Sequence, residues 1–227
     1  FDRPAFGLTE RPLTWERDAN PYTPEAQIAY TIGLMDALGI ERAVLIGNSA
    51  GGTVALATAL AHPERVSALV LVNSEARLLW AEDYPVGFSR EVAEQLSRRY
   101  LAQHGTTGAM LELTAPTVAD DARFRAWWTR YQRLSVPLGL VRRTFDWFAE
   151  VDARAALPLI QAPTLVIARR DAQFHRPAFG AFLAEHIPGA RYVERSGSGH
   201  AAWLRPESVI PDIREFLTGE RIESIAP

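Results

Sequence analysis

The 227-residue sequence contains no cysteine. That excludes disulfides, thiolate nucleophiles, zinc–thiolate sites and iron–sulfur clusters together. It contains no lysine either, all 24 basic residues being arginine. A Schiff-base lysine and the lysine of a phosphate-binding loop are therefore excluded. Surplus charge is small: 27 acidic against 24 basic residues leave a net charge of −3, which gives no reason to expect nucleic acid as a partner. Long apolar runs are missing as well. The most apolar window, 43–61, is broken by Gly47, Asn48, Ser49, Gly51, Gly52 and Thr53, so it reads as strand, turn and helix and not as a membrane span. The chain opens Phe1-Asp2-Arg3-Pro4, without the basic start and apolar stretch of a secretory signal. A soluble protein of the cytoplasm is the expectation.

What is present is globular. Hydrophobic residues make up 48% of the chain and charged ones 22%, a balance that a disordered tail does not have. The length suits one domain, or one domain carrying a large insertion. Residues 1–23 are rich in Pro, Arg and aromatics and read as loop. Pro24, followed by Ala26, Ile28, Ile32, Met35 and Leu38 and then Gly39, predicts a helix. Ala43–Ile46, Val66–Val72 and Thr164–Ala168 are apolar without polar alternation, as strands buried on both faces should be. Arg191–Val193 is a weaker fourth strand. Small apolar residues from Gly52 to Ala61 predict a tightly packed helix that stops near His62-Pro63, and Pro206–Leu217 predicts a closing helix. Strands alternating with helices imply a parallel sheet with right-handed crossovers. Between Glu75 and about Leu157 the rhythm gives way to helical periodicity with Trp80, Trp127, Trp128, Tyr131, Phe145, Trp147 and Phe148. The expected division is a core of 1–76 and 157–227 with a helical cap over 77–156.

Gly47-Asn48-Ser49-Ala50-Gly51-Gly52 lies between a buried strand and a small-residue helix, the setting a G-x-S-x-G nucleophile elbow requires. A strand turning abruptly into a helix strains the turn residue, and glycine two positions away on either side avoids a clash. The strained Ser49 then projects its hydroxyl above the sheet edge, in front of free helix N–H groups; the Ala50 N–H is the natural donor to an oxyanion. A dinucleotide-binding turn fits poorly, because Ser49 occupies the place of its middle glycine.

A serine needs a base, and the base a third group to orient it. His62, His104 and His186 fall within or at the ends of helical patterns and read as surface or capping residues. His175 lies in a loop that could approach the site. His200 sits in the loop Ser196-Gly197-Ser198-Gly199-His200, after the last strand and before the last helix, and is the expected base. Asp171 follows the strand at Thr164–Ala168 and gives the order Ser49, Asp171, His200. Glu75, after the preceding strand, is the alternative acid; Asp152 reads as a helix-end charge.

These features together resemble an α/β-hydrolase. The resemblance covers 1–9, the Ser49 elbow, Ala162–Ile167 and Ile187–Arg191 ahead of His200, and the stretch from Ala76 is similar to hydrolase domains found beside nucleotide cyclase domains. It implies an α/β-hydrolase fold, a mostly parallel sheet flanked by helices with a helical cap insertion. Two departures from the family pattern stand out. The turn Ala168-Arg169-Arg170-Asp171 has no glycine, and the segment on to His200 is about one residue longer than expected. The family's segment beginning Phe-Asp-Arg also follows several strands and a His-Gly loop, so the expectation is an incomplete chain lacking the N-terminal strands and the second oxyanion donor.

The implied chemistry is cleavage of small to medium apolar carboxylic esters through an acyl-enzyme, with no cofactor and no metal. The aromatic insertion is expected to roof the site, although most of its aromatics should form its own core. The expected partner is a small apolar ester, not nucleic acid or a membrane, and a homodimer stays open. A carbon–carbon bond hydrolase or perhydrolase could use the same triad, and a non-catalytic ligand-binding or regulatory domain could keep the shape without turnover.

Overall fold

The computed structural model describes residues 2–4, 6–12, 14, 16 and 20–220, the side chains of 144, 146–148 and 203 excepted. Phe1 and Ala5 of the opening segment, and the side chains of Trp147 and Phe148, thus lie outside the described residues. In chain order the elements are α1 (Pro24–Ala37), β1 (Ala43–Asn48), α2 (Ala50–Ala61), β2 (Val66–Val72), α3 (Arg90–Gln103), α4 (Leu111–Thr114), α5 (Ala122–Ser135), α6 (Leu138–Glu150), β3 (Thr164–Arg169), α7 (Pro177–His186), β4 (Arg191–Arg195) and α8 (Ile210–Thr218). The expected closing helix is shorter than its pattern. Pro206–Ser208 forms a separate 3-10 turn, and Val209, at φ −129°, breaks the run before α8 begins. In the other direction, α2 starts two residues early, directly behind Ser49.

The chain divides into two compact units, one of 1–39, 77–112 and 116–151 and another of 40–76, 113–115 and 152–227. The second holds the sheet. Its four strands run parallel in the order β1-β2-β3-β4. β2 and β3 are buried along nearly their whole length, which explains their unbroken apolar sequence. Leu69 and Leu71 pack with Ala55, Leu56 and Ala59 of α2 and with Leu183 of α7. The alternate residues Val70 and Val72 join Leu165, Ile167 and Val209 on the other face, with Ile213 and Phe216 of α8 against them. Each fully buried aliphatic side chain here contributes about 1.5–3 kcal/mol relative to exposure. The buried Asp212 of α8 also pairs with Arg195 of β4. β1 differs from its neighbours, leaving Val44 and Ile46 exposed.

The other unit is helical. Val136, Leu140 and Val141 centre a cluster with Tyr22, Tyr100, Leu101 and Phe145. The buried Gln132 carboxamide accepts from the Gly105 and Ala109 N–H groups and donates to the Ala109 carbonyl, pinning the turn after α3. His104 corrects its expected surface placement: it does cap α3, but its ring is buried and its Nε2 engages the Val136 carbonyl at 3.0 Å. His62 and His186 stay at helix ends as expected. The aromatics divide in the same way. Trp128 is buried and donates to the Ala109 carbonyl, whereas Trp80, Trp127 and Tyr131 are exposed.

Candidate active site

β1 ends and α2 begins on either side of one residue, Ser49, whose φ is 57° and ψ −132°. A non-glycine residue there stores strain of about 1–3 kcal/mol. Three hydrogen bonds hold the turn. The Ser49 N–H donates to the Val72 carbonyl at 3.1 Å, its carbonyl accepts from the Gly52 N–H at 2.8 Å, and the Ser74 hydroxyl, shared with the Val72 carbonyl at 3.1 Å, reaches the same Ser49 carbonyl at 3.3 Å. The Ala50 N–H, first in α2, has no acceptor among the described residues. It is therefore available to a developing negative charge, with the helix dipole behind it.

The steric role of the glycines differs in part from the motif's spacing. A Cβ on Gly47 would lie 2.5 Å from the Gly52 Cα, so Gly47 is required as expected. A Cβ on Gly51 would meet nothing within 4 Å. The tight position is Gly52, where a Cβ would sit 2.1 Å from the Ser74 hydroxyl oxygen.

His200 lies in the loop after β4 and is held by its backbone. Its N–H donates to the Thr114 carbonyl at 2.7 Å, and its own carbonyl accepts from the Asn73 side chain at 2.9 Å. Its ring is buried, with Nδ1 fully enclosed and unbonded. Burial, and then the neighbouring His175, hold its pKa well below the ordinary histidine value. The ring is therefore neutral near pH 7, the form a base needs.

Asp171 stands just beyond β3 and reaches the His200 loop by way of Gly197. Its carboxylate accepts from the Gly197 N–H at 3.0 Å, and its own N–H donates to the Gly197 carbonyl at 3.1 Å. Among the described residues no hydrogen bond or ion pair joins Asp171 to the His200 ring. Glu75 meets a different histidine: its Oε2 lies 2.5 Å from His175 Nε2, with both side chains 1% exposed. His175 in turn stacks on His200, with ring centroids 4.3 Å apart and planes 16° from parallel. Asp152 pairs with Arg154 and accepts from its N–H at the start of the 3-10 helix Arg154–Leu159, a helix-end charge as expected.

Two residues of this arrangement escaped the sequence reading. Asn73, at φ 46°, and Ser74 follow β2 directly and tie the His200 loop and the Ser49 elbow to the strand end. The only sequence signal was their position after a buried strand. Among the described residues no group of histidines and carboxylates could hold a metal ion, and no helix is long and apolar enough to cross a membrane.

A family profile described as alpha/beta hydrolase fold matches residues 1–204. A pimeloyl-[acyl-carrier protein] methyl ester esterase of Neisseria meningitidis is 32% identical over 179 residues, covering 77% of this chain and 69% of the relative. A 2-hydroxymuconate semialdehyde hydrolase of Pseudomonas sp. (strain CF600) is 48% identical over a shorter stretch of 73 residues, 32% of this chain and 24% of the relative. Among solved structures, the enol-lactonase from Burkholderia xenovorans LB400 superposes with a TM-score of 0.75 at 27% identity, covering 95% of this chain and 78% of that one. The match over nine-tenths of the sequence agrees with the parallel sheet and with the strained serine between β1 and α2: the chain belongs to the alpha/beta hydrolase family.

Proposed function

We propose that the protein is a serine hydrolase that cleaves carboxylic esters of small to medium apolar substrates through an acyl-enzyme. The observation that carries this reading is Ser49 itself, held at positive φ in front of the open Ala50 N–H. Esterase and lactonase relatives support the substrate class. Ser49 Oγ attacks the ester carbonyl while His200 takes the serine proton. The Ala50 N–H donates to the tetrahedral oxyanion. Collapse expels the alcohol, which leaves with the proton held by His200. Water, deprotonated by His200, then releases the acid and restores Ser49.

We assign the carboxylate of the triad to Asp171. Chain order and its hold on Gly197, three residues ahead of the base, support that assignment. Glu75 is already engaged by His175. A second reading, carbon–carbon bond hydrolysis by the same residues, draws on the similarity to the semialdehyde hydrolase.

The test is intact mass after exposure to a fluorophosphonate, on the parent and on Ser49→Ala. One adduct on the parent alone is expected, together with turnover of p-nitrophenyl butyrate that Ser49→Ala lacks. A folded parent that takes no adduct overturns the reading and favours a ligand-binding domain. An adduct without ester turnover favours the carbon–carbon reading.

A further inference from the structure

We propose that Glu75 and His175 are positioning residues for the base: Glu75 grips the His175 ring, and His175 holds the His200 imidazole face to face. This inference rests on the reading of His200 as the general base.

The backbone on both sides of the His200 side chain is tied down, but among the described residues no hydrogen bond holds its ring. Rotation about the side-chain bonds is limited by packing alone. His175 covers one face at 4.3 Å, and Phe174 stands edge-on at 5.8 Å and 87°. A base has to present one nitrogen to the serine proton within a narrow angle, so the ring that stacks on it sets its aim.

His175 can do this only if it is itself fixed. It is fully buried, Phe179 meets it edge-on, and Glu75 Oε2 approaches its Nε2 at 2.5 Å. Two lone pairs at that separation would repel, so a proton lies between them. Among the described residues this approach is the one close polar contact of either side chain, and no hydrogen bond ties either of them elsewhere. They depend on each other.

The charge state suits the role. Burial raises the Glu75 pKa well above the carboxylate range and lowers that of His175 to about 3. Both shifts run toward the uncharged forms, so burial favours a neutral pair over an ion pair. When His200 takes the serine proton it becomes a cation; His175 beside it disfavours a second charge, and keeping His175 uncharged holds that opposition to a minimum.

The experiment compares Glu75→Leu with Glu75→Gln by fluorophosphonate labelling rate at Ser49 and by kcat and KM for p-nitrophenyl butyrate. Gln keeps a neutral donor for His175 Nε2; Leu does not. Glu75→Leu is expected to lower kcat and the labelling rate about 10- to 100-fold with KM little changed, as misalignment of a base does. Glu75→Gln is expected to recover most of that loss. Parent rates in Glu75→Leu, or equal impairment of the two variants, overturn the proposal. So does a loss confined to KM. If Glu75→Leu does not fold, His175→Phe against His175→Ala supplies the contrast: the ring-bearing variant should label faster, and equal rates overturn the proposal. A parent that is never labelled at Ser49 sinks the hydrolase reading instead, so the two failures are told apart.

Discussion

The hydroxyl of Ser74 reaches the carbonyl of Ser49 at 3.3 Å, across 25 positions of sequence, and occupies the space a side chain at residue 52 would need. The Ser49 turn is therefore packed from below by the strand beside it. Gly52→Ala should force Ser74 aside and destabilise the protein by about 1–3 kcal/mol, the ordinary cost of overpacking. Gly51→Ala, which meets nothing, should be neutral or stabilise α2 by up to about 1 kcal/mol. Urea unfolding of both variants checks the contrast, and a reversed order would contradict the packing described.

Ser49 holds positive φ without being glycine. Ser49→Gly should therefore raise stability, by about 1 kcal/mol, while abolishing fluorophosphonate labelling. Thermal unfolding and intact mass on the same sample measure both halves. A melting temperature below the parent's would show that the turn is not strained.

Asp171→Asn keeps an oxygen that can accept from Gly197 N–H but loses the carboxylate charge. If Asp171 is the triad acid, kcat for p-nitrophenyl butyrate should fall about 100-fold or more. The falling limb of that kcat at low pH gives a companion check on His200. Its depressed pKa keeps it neutral, so activity in the parent should persist well below pH 6.5. A midpoint at or above 6.5 would contradict the burial of the ring.

Stability should depend on pH in two opposed ways. His175 and His200 have folded pKa values below the unfolded value of 6.5. As pH drops below 6.5 the unfolded chain takes up protons that the folded one refuses, so their contribution is lost progressively, for His175 down to about pH 3. Glu75 has the opposite sign: its folded pKa is raised, so the unfolded chain ionises first and stability is lost as pH rises above 4.5. Melting temperatures from pH 4 to 9 should fall on both sides of a maximum. Glu75→Gln should remove the decline that begins above pH 4.5 and so flatten the alkaline side.

Local patterns made much of this molecule readable. The unbroken apolar runs of β2 and β3 marked strands buried on both faces, and the serine between glycines marked the strained turn. The glycine-rich loop after β4 marked His200 as a candidate, while His175, from the loop after β3, brings a second ring to the same place. What stayed hidden depends on partners far apart in the chain. Asn73 binds the carbonyl of a residue 127 positions later, and Glu75 meets a ring 100 positions away. No spacing rule reports such pairs. The glycine that packing requires at the elbow is likewise residue 52, one beyond the motif's own, because the constraint comes from Ser74 on the adjacent strand end.

Three consecutive residues at the end of β2 each hold a different part of the site: Asn73 the His200 loop, Ser74 the Ser49 elbow, Glu75 the His175 ring. The amides of Ser49 and Asn73 are also bonded to carbonyls at the ends of β2 and β3. Such an arrangement has no way to open piecemeal. In hydrogen–deuterium exchange those two amides should be released together, in one cooperative event set by the strand ends. A single substitution at residues 73–75 should then accelerate exchange at the elbow and in the His200 loop alike, although the two lie 150 residues apart in the chain.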